Sequence, residues 1–135
     1  MDLIKEILDN TKTIAVIGMK DDINHDAYRI PLYMTQHGFE IFPVNPVKKG
    51  RHALGKIFVE KVSDITEKID LVDIFRRPEF IPAHVEEILS MNPLPKYVWF
   101  QLGIINDDAA AELEKNGIKV VQDKCLMVEH RKYKG

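Results

Sequence analysis

The sequence predicts an α/β fold: a doubly wound, five-stranded parallel sheet, order 3-2-1-4-5, with helices on both faces. Three observations carry this. Short apolar runs rich in β-branched or aromatic residues recur at 13–17, 40–44, 71–75, 97–100 and 118–121. Segments with apolar residues at helical spacing separate them. The first run, Thr13-Ile14-Ala15-Val16-Ile17, ends in Gly18, where a buried strand turns toward a helix. Alternation of this kind calls for parallel pairing through right-handed crossovers.

Each element has its own warrant. Leu3, Ile4, Ile7 and Leu8 form a helical stripe, so a short leading helix is expected within residues 1–10, covering either the domain's own sheet or another subunit, with the intramolecular choice preferred. Residues 27–37 read as a helix with Ile30, Tyr33, Met34 and His37 on one stripe and Gly38 at its end, although Pro31 obscures its start. Glu40–Val44 is the second strand, stopped by Asn45-Pro46. A polar loop with Gly50 and Gly55 follows, with a short extended piece at 57–59. Leu71–Phe75 is the third firm strand, and Pro78 opens a helix over 79–90. Tyr97–Phe100 is the fourth. Asn106 caps the next helix, Asn116-Gly117 closes it, and 118–121 is the last strand. Asp123 is expected to cap a final helix running from Lys124 to about Lys132.

Composition narrows the function. The chain has 135 residues, 45% of them hydrophobic, which suits one domain spanning 1–135. Nineteen basic and 21 acidic residues leave a net charge of −2, with no basic block to attract nucleic acid. No apolar run approaches the length of a membrane span, and no secretory leader is evident. Cys125 stands alone, which fits a reducing compartment; a cytoplasmic protein, monomeric or weakly homo-oligomeric, is expected. The five histidines show no metal-ligand spacing, and no nucleophile–base constellation appears, so neither a metal site nor a catalytic residue is assigned.

Doubly wound sheets bind ligands beyond the carboxyl ends of their strands, where the strand order reverses. Four loops are thereby singled out. The first begins Gly18-Met19-Lys20; its glycine lets a backbone come close to a phosphate, and helix N–H groups can point at one. The second is Asn45-Pro46 with Lys48, Lys49 and Arg51. It lacks the acid that grips a ribose diol in dinucleotide sites, and the glycines of that fingerprint are missing too. Its cations suit an extra phosphate, or simply a solvated loop. The third is Phe75-Arg76-Arg77, two arginines able to fork onto phosphate oxygens, or to pair with local carboxylates. The fourth holds Gln101 and Gly103. Near them, Cys125 falls early in the last helix, where N–H groups favour a thiolate; a small buried cysteine is the plainer alternative. His130 lies five residues on, roughly 140° around an ideal helix, so the two do not form a dyad.

Taken together, Ile14–Gly18, Tyr28-Arg29, Pro43-Val44-Asn45-Pro46, Asp73-Ile74-Phe75-Arg76-Arg77, Trp99-Phe100-Gln101-Leu102-Gly103 and Asp123-Lys124-Cys125 through Glu129-His130 resemble the small stand-alone CoA-binding proteins. Their domain is similar to the CoA-binding domain of the succinyl-CoA synthetase alpha subunit. The resemblance implies a Rossmann-like domain holding coenzyme A, free or acylated, across the strand ends. It matches Gly18, Met19 and Lys20 to the first phosphate-side loop, Asn45, Pro46 and the lysine-bearing segment to the second, and Phe75, Arg76 and Arg77 to the third. It does not extend to ligase chemistry, because the synthetase's phosphohistidine domain has no counterpart here. Lys20, Arg29, Lys48, Arg76 and Arg77 supply cations for the ligand's phosphates, and the pantetheine arm is expected to run past Gln101 and Gly103 toward Cys125. The leading expectation is a non-catalytic CoA carrier, sensor or partner module. The alternatives are a thiol-redox or CoA-thiol transfer protein using Cys125, and an NAD(P)-binding regulator.

Overall fold

The computed structural model describes residues 2–134. Its elements, in chain order, are α1 (Leu3–Asn10), β1 (Thr13–Ile17), α2 (Asp26–Gln36), β2 (Glu40–Val44), the two-residue strands β3 (His52–Ala53) and β4 (Lys56–Ile57), β5 (Leu71–Ile74), α3 (Ile81–Leu89), β6 (Tyr97–Phe100), α4 (Asp107–Lys115), β7 (Lys119–Val121) and α5 (Leu126–Lys134). The large sheet has five strands in the order β2-β1-β5-β6-β7, every pairing parallel.

The α/β, doubly wound class is what the sequence predicts. Beyond β2 lies the short extended piece expected at 57–59: Val59 bridges Val44 in parallel. Counted as third, it gives the series 3-2-1-4-5-6, which contains the expected 3-2-1-4-5 arrangement. The strand read from sequence as third, now β5, therefore stands fourth, against β1 in the middle of the sheet rather than at its edge. Its residues Leu71 to Ile74 are all buried, as the middle of a parallel sheet requires.

The alternation of side chains along the strands divides the core in two. Ala15, Ile17, Val72, Ile74, Val98 and Phe100 face α3 and α4. Ile14, Val16, Leu71, Tyr97 and Trp99 face the other way, toward α1, α2 and α5. The leading helix does cover its own sheet, since Ile7 and Leu8 are buried in this second layer. Asp2 caps it, accepting from the Ile4 N–H at 2.9 Å. Among the described residues, no helix is long and apolar enough to cross a membrane.

Two local expectations need correction. The final helix starts at Leu126, not Lys124, and Asp123 does not cap it. Asp123 is left-handed (φ +59°), and its carboxylate accepts the Gly103 N–H at 2.7 Å. Cys125 thus precedes the helix, its carbonyl accepting the Glu129 N–H at 3.0 Å. The polar loop after β2 is also more regular than expected: β3 and β4 form a hairpin turned by Leu54 and Gly55, both at positive φ.

A two-part crevice at the strand ends

Two clefts open on either side of the Phe75–Arg77 loop. One, about 430 Å³, lies over Gly18, Lys20, Asn45, Pro46 and Val47. The other, about 450 Å³, lies over Ala27, Ile30, Gln101, Leu102, Gly103, Ile104 and Cys125. Phe75, Arg76 and Arg77 line both. The loops after β1, β2, β5 and β6 therefore meet at one place, with the residue before α5 at its rim.

Gly18 holds this junction together. Its φ is +80°, and a Cβ there would collide with the Phe75 carbonyl and press on the Arg76 side chain. Its N–H donates to the Val44 carbonyl at 2.9 Å. The close approach that demands glycine is thus made by the protein's own third loop. Only glycine lets the loops after β1 and β5 touch.

Asn45 pins the first loop to the second. Its amide donates to the Met19 carbonyl at 2.9 Å and its Oδ1 accepts the Val47 N–H at 3.2 Å. Lys20 is held from the other side by a consequence of Pro31, which sits inside α2. Proline has no N–H, so the Ala27 carbonyl four residues back lacks its helical donor. The Lys20 N–H takes that place, donating to Ala27 at 3.2 Å. The residue that obscured the helix start in the sequence thus anchors the first loop.

The expected cations separate into two groups. Lys20, Arg76 and Arg77 line the first cleft, and among the described residues none of the three forms a salt bridge. Arg76 lies over the Phe80 ring, 4.5 Å from its centre. Arg29 and Lys48, by contrast, line neither cleft. Arg29 pairs with Asp26 at 2.6 Å and donates to the Ile23 carbonyl. Lys48 and Arg51 both pair with Asp21 at 3.1 Å, which holds the Asp21 carboxyl below its ordinary range. Met19 also stays out: its side chain is fully buried in the α2 and α5 layer, and only its backbone belongs to the loop.

The second cleft is more apolar than the first, and beyond the shared Arg76 and Arg77 its polar side chains are largely occupied. Gln101 is buried; its amide nitrogen donates to Asp73 at 2.7 Å and its carbonyl accepts the Leu126 N–H at 3.4 Å. It links β5, β6 and the start of α5 and is not free to fix a ligand group. The sequence assigns Asp73 no role beyond its place in a strand and in the motif that carries the resemblance. Burial pushes its carboxyl up to about 7, against the lowering effect of Gln101. An acid inside an otherwise apolar run, Leu71-Val72-Asp73-Ile74, was the available signal. Apolar residues stranded in loops were another: Val47 is 82% exposed and Leu102 70%, one beside each cleft.

The chain matches the CoA binding domain family over residues 12–131. It is 38% identical over 127 residues to the uncharacterized protein YneT of Bacillus subtilis strain 168, covering 94% of this chain and 91% of that one. A solved structure from Thermus thermophilus is similar at a TM-score of 0.92 and 36% identity, covering 98% of both chains. A hypothetical protein from Pyrococcus horikoshii OT3 is similar at 0.89 and 33%, covering 98% of this chain and 90% of the other. With its crevice at the strand ends and a match spanning nearly its whole length, the chain belongs to the CoA binding domain family.

Proposed function

We propose that the protein binds coenzyme A as a non-catalytic carrier, sensor or partner module, with the nucleotide over the first cleft and the pantetheine arm in the second. The observation that supports this best is the set of three cations, Lys20, Arg76 and Arg77, without carboxylate partners among the described residues, at the mouth of a crevice that is apolar on one side. CoA has the same division, several phosphate charges at one end and a long neutral arm at the other. Pairing unpartnered cations with phosphate avoids the cost of first breaking a protein ion pair. Phe80 and Val47 offer exposed apolar surface beside the cations, suited to the adenine face.

A thermal-shift panel of CoA, dephospho-CoA, acetyl-CoA, NAD and NADP tests this. CoA is expected to raise the melting temperature most, by mass action. A weaker shift from dephospho-CoA marks a 3′-phosphate contact. A flat response to CoA overturns the proposal.

Cys125 supports a second reading, because it is partly exposed and lines the arm's cleft. In it, the Cys125 thiolate attacks one sulfur of CoA disulfide. The disulfide's S–S bond breaks, a protein–CoA S–S bond forms, and the second CoA leaves as a thiolate that takes up a proton. Protein incubated with CoA disulfide is then expected to gain the mass of CoA less two hydrogens, reversibly with reductant and not in Cys125→Ser. No adduct under these conditions removes this reading and leaves the first intact.

A further inference from the structure

We infer that the apolar cleft receives the acyl end of a saturated short-chain acyl-CoA and discriminates against acyl groups ending in a carboxylate. This deepens, and rests on, the placement of CoA proposed above.

The walls are Ala27, Ile30, Phe75, Leu102 and Ile104. Apart from Arg76 and Arg77, which line both clefts, the side-chain polar groups among them are already committed. Gln101 is engaged at both ends of its amide, by Asp73 and by the Leu126 N–H. The Gly103 N–H donates to Asp123, and Asp26 is paired with Arg29. With the arginines on the phosphates, a carboxylate entering here loses its water and finds these side chains engaged, a loss that apolar walls cannot offset. The buried Asp73, one hydrogen bond behind Gln101, adds like charge whenever it is ionised. The two arginines border the other cleft as well, and Arg76 is drawn to that side by the Phe80 ring. In this placement they meet the phosphates. A saturated chain faces none of these costs and gains by covering apolar surface, Leu102 in particular, which is 70% exposed.

Calorimetric titration under reductant, with CoA, acetyl-CoA, butyryl-CoA and succinyl-CoA, tests the inference. Butyryl-CoA is expected to bind more tightly than CoA, by roughly threefold for each methylene buried, and succinyl-CoA at least about tenfold more weakly than butyryl-CoA. In Leu102→Asp, a substitution on an exposed turn, the ratio of butyryl-CoA to CoA affinity is expected to fall. If CoA binds but butyryl-CoA gains nothing over it, or succinyl-CoA equals butyryl-CoA, or the ratio is unmoved in Leu102→Asp, the inference is overturned while the proposed CoA binding stands. If CoA itself does not bind, both are overturned.

Discussion

On one side of the Phe75–Arg77 loop the wall is Gly18, Lys20 and Asn45; on the other it is Ala27, Ile30, Leu102 and Cys125. The first side has Lys20, which forms no ion pair among the described residues, beside the shared Arg76 and Arg77. The second has Gln101 and the Gly103 N–H, both partnered, and a buried acid behind them. One crevice therefore has two chemistries, and the same three residues form the boundary. The difference comes from topology: the first cleft stands over β1 and β2, the second over β5 and β6 where α5 begins. On the proposed placement, a charged ligand segment would be favoured on one side and an apolar one on the other, which would orient a long ligand.

The most disruptive way to break this comparison is to separate the loops. Gly18→Ala places a Cβ against the Phe75 carbonyl at a φ of +80°. Since backbone must move to relieve it, a loss of about 3 kcal/mol of stability is expected, measured by chemical denaturation. The variant is also expected to lose CoA binding, because the Arg76 side chain is displaced with the loop. A variant of unchanged stability would mean that the two loops are not held against each other.

A milder substitution tests the cationic side alone. Arg76→Ala removes a guanidinium that lines both clefts and forms no ion pair among the described residues. Affinity for CoA is expected to fall roughly ten- to hundredfold, with stability nearly unchanged. Equal affinity in titration calorimetry would move the phosphates elsewhere.

The apolar side can be probed through Asp73. Burial raises its carboxyl from 3.8 to about 7, so the folded state keeps a proton that the unfolded chain releases in between. The stability of the neutral form is complete below about pH 4 and is lost as the pH climbs through 7. Asp73→Asn keeps an oxygen for Gln101 and removes the titration. It is expected to be more stable than the parent at pH 8, by about 4 kcal/mol, and little different at pH 4, as read from urea midpoints. A difference that is the same at both pH values would show that Asp73 does not titrate in this range.

How much of this was legible depends on the kind of contact. The strands stand out because a parallel sheet buries both faces and leaves continuous apolar runs, as in Ile14–Ile17 and Leu71–Ile74. Asn106 is legible as a cap because the interaction is local: its Oδ1 accepts the Ala109 N–H three residues on. Asp123-Lys124-Cys125 has the same local look, yet Asp123 spends its carboxylate on Gly103, twenty residues back. Met19 reads as a loop residue and is core, because the first loop folds down against α2. Long-range choices of this sort have no local signature. Nor does the sequence separate the cations that line the clefts from the others, since the one acid that pairs with both Lys48 and Arg51, Asp21, comes from a different loop.

That last point yields the smallest expected effect, and a sharp one. Arg29 and Lys48 have the same charge as Arg76 but sit outside both clefts in ion pairs with Asp26 and Asp21. Only a small, long-range and screened part of their charge reaches the crevice. Arg29→Gln and Lys48→Gln are each expected to change CoA affinity by less than about threefold at physiological salt. If either costs as much as Arg76→Ala, its ion pair opens for the ligand, the set of phosphate contacts extends beyond the Phe75–Arg77 boundary, and the division between a cationic and an apolar cleft no longer describes how the ligand is held.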